Sequence, residues 1–466
     1  MTAPAGYLPS ARTGRDGLPP AVCAEPAEPG ERAARQSPQG GRRSDAVRLA
    51  LVAAIWALPL LRPAGPGNTG PVDIFIGIAV GIVMLWLASR RMPVRFPFAL
   101  PVGISILAGT LASTVAYADK YVSVGHGLLT VVQDMFCLAW GLAVANAGRS
   151  PALLRSMTRA WAVSATFWSA LMIVGVLGHI SLLSGETARD GARAAFTLGD
   201  PNLAADYFVC SLLVLRAARY PARRLARWAC CAVIIAAIVF TGSNGGMLAL
   251  AAATVAGALF RLATRRGAAP AVMVAAAIGL CAVAVIPHID VTSLVQRAQA
   301  STPLLQDSIG RQAESSGSRD TILSETEQLY FTADNPLGIG PGGTKPAFQQ
   351  HMYGYIKEAH DDYAAALVER GALGAVALVL LLVCILARCR RIAARPLRPA
   401  YARIIPRPEL LGAAVLAVLA SAMFYQVLHF RHVWALLGLV AAADLWGRAE
   451  AADAPPGATT AGGAGP

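Results

Sequence analysis

Charge is scarce in this chain. Only 14% of its 466 residues are Asp, Glu, Lys or Arg, against 55% that are hydrophobic. A soluble domain of this size needs more charge to cover its surface, and its apolar residues do not gather in long unbroken runs. Here such runs recur from Ala46 to Trp446, many approaching the roughly 20 residues needed to cross a hydrocarbon core about 30 Å thick. Also missing is any CxxC pair. The eight cysteines (Cys23, Cys137, Cys210, Cys230, Cys231, Cys281, Cys384 and Cys389) fall in the N-terminal tail, in predicted helices or in an Arg-rich connector. That placement argues against a disulfide framework and against a zinc site. Nor does the N-terminus carry an apolar signal segment. Residues 1–45 are rich in Pro, Ala, Gly and Arg and read as a disordered cytoplasmic tail, and 447–466 read as a second one.

What is present is a net charge of +13 carried almost wholly by Arg. The arginines sit in short clusters between apolar runs, as in the cytoplasmic loops of a membrane protein and unlike a nucleic-acid surface. The runs predict an all-α polytopic membrane protein of about twelve transmembrane helices. They lie at 46–61, 71–88, 98–117, 122–147, 158–178, 203–217, 228–242, 245–261, 270–287, 361–386, 409–426 and 430–446. Trp228–Phe260 could be one long helix but for the break at Thr241-Gly242-Ser243-Asn244-Gly245-Gly246. Merging the two would place the connector bearing Arg388, Arg390, Arg391, Arg395, Arg398, Arg403 and Arg407 outside, against the positive-inside rule. With two helices there and both termini cytoplasmic, 29 of the 40 Lys and Arg residues lie inside. The order is then a tail, nine helices over 46–287, a large external loop over 288–360, three helices over 361–446 and a second tail. In the loop, Ser324–Phe331 reads as helical and Asn335–Gly343 as a Gly/Pro turn.

Two external segments are candidates for chemistry. Arg193 to Asn202, with Asp200-Pro201-Asn202, leads into a helix of about fifteen apolar residues, roughly 22 Å long. That is shorter than the bilayer, so the segment before it is expected to dip inward and line a cavity, where irregular backbone is tolerated. The end of the large loop brings Arg319, then Asp334-Asn335-Pro336-Leu337-Gly338-Ile339-Gly340, then His360-Asp361-Asp362-Tyr363 opening the tenth helix.

The spacing His360-Asp361, nine residues, Gly371-Ala372-Leu373-Gly374 resembles the His-[Asn/Ser/Gln]-x9-Gly-x-x-Gly signature of the bacterial O-antigen ligase and O-antigen polymerase (Wzy-type) superfamily. Other pieces follow in order: Arg193 before Asp200-Pro201-Asn202, Thr241-Gly242-Ser243 between two helices, and Arg319 before Asn335-Pro336-Leu337-Gly338. The resemblance spans about 190–375. Two positions depart from it. Asp361 stands where the family usually has an amide or hydroxyl residue, and Asn244 stands where it often has Arg after Thr-x-Ser.

The resemblance implies a GT-C-like membrane glycosyltransferase. It would move a glycan from a polyprenyl-diphosphate-linked donor to a hydroxyl acceptor, itself a glycan or a lipid, on the outer face of the inner membrane. No cofactor or metal is called for. The diphosphate leaving group gains charge as the glycosidic bond breaks, and Arg193 and Arg319 are the candidates to meet it, since guanidinium binds phosphate oxygens bidentately. His360 is the candidate base, with an imidazole pKa suited to the acceptor hydroxyl and Asp361 or Asp362 orienting its ring. Asp200, Asn202, Thr241, Ser243, Asn335, Asp361 and Arg431 complete the candidate substrate-binding set.

Plainer readings exist for each. His360 could cap a helix, Arg193 could pair with Asp190 or Asp200, Arg319 with Asp320 or Glu325, and Asp200-Pro201-Asn202 is an N-cap signal in its own right. Gln133 and Asp134 lie inside an apolar run, where an intramembrane carboxylate is either functional or hydrogen-bonded to a neighbouring helix. His126, His429 and His432 lie near external helix ends, and Tyr363, Tyr425 and Trp434 read as interface or packing residues. The competing function is a transporter or flippase of a lipid-linked polysaccharide precursor. It predicts charges spread through the helices and an internal repeat, and no repeat is visible.

Overall fold

The computed structural model describes residues 38–64, 69–116, 120–186, 193–285, 293, 296–297, 300, 321, 323–331, 336–351 and 361–448. The chain divides into two units, Met1–Ser44 and Asp45–Pro466, and the second carries everything that follows. Apart from isolated bridge residues, the pair Leu397 and Arg448 and the single Val122, every regular element described is helical. In chain order these are α1 (Pro38–Trp56), α2 (Pro71–Ser89), α3 (Ala99–Leu111, continued by a π-turn), α4 (Val124–Ala147), α5 (Pro151–Leu177) and the short α6 (Ser181–Ser184). Then come α7 (Pro201–Ala218), α8 (Arg224–Phe240), α9 (Asn244–Arg266) and α10 (Ala268–Val285). The C-terminal part holds α11 (Thr344–Gln350), α12 (Asp362–Ala394), α13 (Pro399–Ala402), α14 (Glu409–Ser421) and α15 (Arg431–Trp446).

Five of these, α2, α4, α5, α9 and α12, are long and apolar enough to cross a membrane. Each of the twelve apolar runs falls on a described helix, but the ends differ. α1 starts at Pro38, inside the stretch expected to be a disordered tail, and α5 starts at Pro151. Hydropathy marks where apolar side chains stop, whereas the i→i−4 ladder continues into polar residues. Pro151 sits at N1, where its missing N–H costs nothing. Thr241–Ser243 does interrupt the chain between α8 and α9, with Gly242 at φ 54°.

α14 ends earlier than expected, at Ser421 instead of 426. Residues 422–430 form a loop whose polar groups are held by other elements. The Asp362 carboxylate accepts from the amides of Val427 and Leu428, at 2.7 and 3.1 Å. The Asp362 amide donates to the Ala422 carbonyl, and the Tyr425 hydroxyl donates to the Asn202 carbonyl. Non-helical backbone inside an apolar bundle survives only with such partners.

Packing is closest where side chains are smallest. α15 lies along α4, α9 along α14, and α12 along α3. A Cβ on Gly438 would come within 2.6 Å of the Val144 side chain, and one on Gly141 within 3.2 Å of Trp434. These are the small-residue contacts by which apolar helices approach without a hydrophobic drive between them.

α12 is broken at Gly371, which adopts φ 66°, ψ −166°. That backbone is closed to residues with a Cβ. The break lets the carbonyls of Val368 and Glu369 accept from the amides of Ile339 and Gly340, at 2.9 and 3.0 Å, while the Ala372 amide donates to the Pro336 carbonyl. The turn at 336–343, with Gly338, Gly340 and Gly342 all at positive φ, is thereby stitched onto the helix. The expected helix near Ser324–Phe331 is present over 323–331. We expect Gly371→Ala to destabilise the protein by about 3 kcal/mol or more, since the strained backbone is compounded by collision of the new Cβ with the Pro336 carbonyl and Leu337. Thermal denaturation followed by fluorescence-detected gel filtration in detergent would measure it. An unshifted midpoint would refute this account of the break.

Candidate functional site

The main cavity of the described structure has a volume of about 590 Å³. Its walls come from α3, α4, α11, the first half of α12, and the loop leading into α15. One end is polar, lined by His126, Gln133, Asp134, Lys345, Asp362, Glu369, Arg370, Gln426 and His429. The other is apolar, lined by Val102, Ala377, Leu378, Leu381 and Trp434 among others. Along α12 the lining runs from Asp362 to Leu381, on the order of 28 Å of helix.

The polar end rests on three consecutive residues. Glu369, buried, accepts from the Gly342 amide at 2.9 Å and from the Thr344 hydroxyl at 2.8 Å, anchoring the entry to α11. Arg370 turns the other way. It meets Asp134 of α4 at 2.6 Å and donates to the Ser105 hydroxyl of α3 at 2.8 Å. Gly371 then breaks the helix. Among the described residues Gln133 Nε2 is buried with no hydrogen-bond partner, and Lys345 at the rim has no ion pair.

Arg193 lies in a different network. Its Nε donates to the Thr241 carbonyl at 3.1 Å and its Nη2 to Asn202 Oδ1 at 3.0 Å. Asn202 Oδ1 also accepts from the Ser243 hydroxyl at 2.8 Å, and Ser243 Oγ caps α9 by accepting from Gly246. Asp200 caps α7 through the amides of Asn202 and Leu203. Five sequence-predicted residues, Arg193, Asp200, Asn202, Thr241 and Ser243, thus meet at the adjoining ends of α7, α8 and α9. Tyr425 ties this network to the loop that borders the cavity. The segment before α7 is buried within the protein, with Ala194, Ala195 and Phe196 closed off from solvent. The cavity itself is lined by other elements.

Arg431 borders the cavity, with its guanidinium in a bidentate pair with Asp73 of α2, both contacts at 2.8 Å. Asp361 is the N-cap of α12 and accepts from the amides of Tyr363 and Ala364. Burial pushes its carboxyl up from the ordinary value, and those two amides pull it back in part. His360, Arg319 and Asn335 lie outside the described residues. Three donor groups suited to a metal ion, from Asp206, Cys210 and His432, sit within 4.8 Å of one another but are fully buried between α7 and α15, away from the cavity lining. There the His432 ring and the Asp206 carboxylate are 2.8 Å apart.

Sequence reasoning passed over Glu369, Arg370 and Lys345. The signal for the first two was available, because two charges inside the tenth apolar run call for partners, and Asp134 was already noted in the fourth.

Residues 229–379 match the family described as O-antigen ligase. The match runs from α8 through the first half of α12 and takes in the break between α8 and α9, the 336–343 turn and Gly371. It supports the resemblance to the O-antigen ligase and polymerase superfamily, and with it a polysaccharide-building membrane glycosyltransferase in general. A search of curated proteins finds no match to the chain.

The cap accounts for the departure at position 361. Asn, Ser and Asp are interchangeable as N-cap acceptors, so the residue after the signature histidine starts the helix whichever of them is present. Because burial raises the Asp361 pKa, its ionised form is the disfavoured one in the folded state, and its stabilising contribution declines as pH rises through that pKa. Asp361→Asn is therefore expected to leave the melting temperature at neutral pH unchanged or higher, whereas Asp361→Ala loses about 1 kcal/mol of capping. Equal destabilisation by both would contradict the assignment. A double-mutant cycle on Asp134→Asn and Arg370→Met tests the ion pair. Each single change strands a partly buried charge or polar group and should cost about 2 kcal/mol, and the double change should cost less than the sum.

Proposed function

We propose that this protein transfers a glycan from a polyprenyl-diphosphate-linked donor to a hydroxyl acceptor on the outer face of the inner membrane, as a polysaccharide polymerase or ligase. The observation that carries this reading is the amphipathic cavity beside the start of α12, polar at one end and apolar at the other, the two ends together lined by roughly 28 Å of helix. A substrate with a charged head and a polyprenyl tail has that profile. Twelve spans with both termini inside would put this polar end on the external face.

In this reading the acceptor oxygen bonds to the anomeric carbon as the bond from that carbon to the diphosphate breaks. The electron pair leaves with the diphosphate, the hydroxyl proton passes to His360, and direct displacement inverts the anomeric centre. Arg193 and Arg319 meet the charge developing on the leaving group, where preorganised guanidinium stabilises the transition state. Asn202, Thr241 and Ser243 hold Arg193 in place, and Asp200 fixes the helix that carries Asn202. Asn335 serves at the edge of the donor site, where Arg431 is held in place by Asp73, and Lys345 supplies a further cation at the rim. No step calls on a metal ion or a cofactor.

The intramembrane charges favour this reading over a flippase. A transport path offers its charges to the cargo, whereas Asp134 with Arg370 and Asp73 with Arg431 are engaged with one another.

Substitution of His360, Arg193 or Arg319 by Ala should cut glycan transfer by on the order of 10²–10⁴-fold, with the polyprenyl-linked intermediate accumulating and membrane levels of the protein unchanged. Surface glycan and extracted lipid intermediates are the readouts. Normal polymer from all three variants would sink the catalytic assignment. Intermediate trapped on the cytoplasmic side would instead indicate failed flipping.

A further inference from the structure

The arginines at the other helix ends form two groups with different fates. Arg388 and Arg391 of α12 and Arg448 after α15 surround Asp444, a fully buried carboxylate, at 2.7, 3.5 and 3.2 Å. That group has a counter-ion inside the protein. The second group, from α7, α9 and the linker before α14, forms no ion pair among the described residues.

Arg216 and Arg219 end α7, Arg261 lies in the last turns of α9, and Arg407 precedes α14. None of the four forms an ion pair among the described residues, although Arg216 and Arg407 are both half-buried. Glu409 is close enough to act on Arg407 electrostatically, without forming an ion pair with it. Burial first, and then the guanidiniums of Arg219, Arg261 and Arg216, push the Arg407 pKa down, and Glu409 offsets this only in part.

This frame is built, not loose. The Arg407 amide donates to the Ala217 carbonyl, which clips the linker to the end of α7. One Nη of Arg227 donates to the carbonyls of Arg219, Pro221 and Ala222 and closes the α7–α8 turn. The Arg216 guanidinium lies 5.1 Å from the ring centroid of Trp228, which is 52% exposed at the start of α8. An exposed Trp beside arginines at a helix end is the pattern of a membrane–water interface. The positive-inside bias requires only that arginines flank the spans. It does not explain why Arg407 should be clipped by its amide to the end of α7 and half-buried within electrostatic reach of Arg216, Arg219 and Arg261, at the cost of mutual repulsion.

We propose that Arg216, Arg219, Arg261 and Arg407 form a binding site for the phosphate headgroup of an anionic membrane phospholipid, where α7 and α9 end and α14 begins. The phosphodiester supplies the charge that the protein lacks here, Arg offers it bidentate contacts, and the acyl chains lie along the apolar faces of neighbouring helices. This inference does not depend on glycan transfer and stands or falls separately from it.

The test uses the full-length protein in neutral detergent micelles, doped with phosphatidylglycerol or phosphatidylcholine, or mixed with inorganic phosphate. Thermal midpoint and bound lipid by native mass spectrometry are read for wild type, for Arg261→Gln/Arg407→Gln, and for a charge-matched control, Arg90→Gln/Arg155→Gln. Phosphatidylglycerol alone should stabilise wild type and the control. The Arg261/Arg407 pair should need roughly thirtyfold more of it, taking each interfacial arginine at its usual contribution. Without lipid that variant should be at least as stable as wild type, because repulsion has been removed. Equal loss in both double variants, equal effects of the two lipids, the same stabilisation by inorganic phosphate, or a lipid-free destabilisation of Arg261→Gln/Arg407→Gln would each overturn the proposal.

Discussion

One backbone angle organises the polar end of the cavity. At Gly371 the chain leaves the helical region, and α12 ceases to supply its own hydrogen bonds for a turn. The carbonyls so released take up the amides of the 336–343 turn, which could not lie buried without them. Everything nearby follows from that seam. Glu369 can hold Gly342 and Thr344 only because the turn lies against α12, and Arg370 is thereby directed to Asp134 and Ser105. A single residue without a Cβ thus connects the 336–343 turn, a long apolar helix and two neighbouring helices.

Charge inside the bundle is handled by pairing. Asp73 with Arg431, Asp134 with Arg370, Asp206 with His432, and Asp444 with three arginines each join elements distant in sequence. Pairs of this kind add less to stability than to uniqueness, since an unpaired charge in the same place costs several kcal/mol. They penalise wrong helix registers that apolar packing alone would tolerate. The arginines around Arg407 are the contrast. Their lack of an ion pair among the described residues is what directs attention outside the protein.

The family signature acquires a physical meaning from the fold. Its second position is an N-cap and its first glycine is the helix break, while the Pro-Leu-Gly-Ile-Gly run from Pro336 is the turn that docks on that break. The spacing between cap and break is then the length of the first segment of α12, from Asp361 to Gly371. Thr241-Gly242-Ser243 plays the corresponding part between α8 and α9, with Ser243 as cap.

Helical class, the positions of the twelve apolar runs and the break between α8 and α9 were legible in the sequence, because hydropathy and glycine spacing are local properties. Motif order singled out Arg193, Asn202, Thr241 and Ser243 one by one, but that they meet in one network is a tertiary finding. Helix ends were not legible, since backbone hydrogen bonding runs past the last apolar residue at Pro38 and Pro151, and stops short of it at Ser421, where the loop finds better partners in Asp362 and Asn202. The cavity, the pairing of Arg370 with Asp134 and the isolation of Arg407 among other arginines belong to the tertiary structure alone. Each depends on which helices become neighbours, and in an all-apolar bundle that choice is made by small-residue contacts and buried charges brought together from opposite ends of the chain.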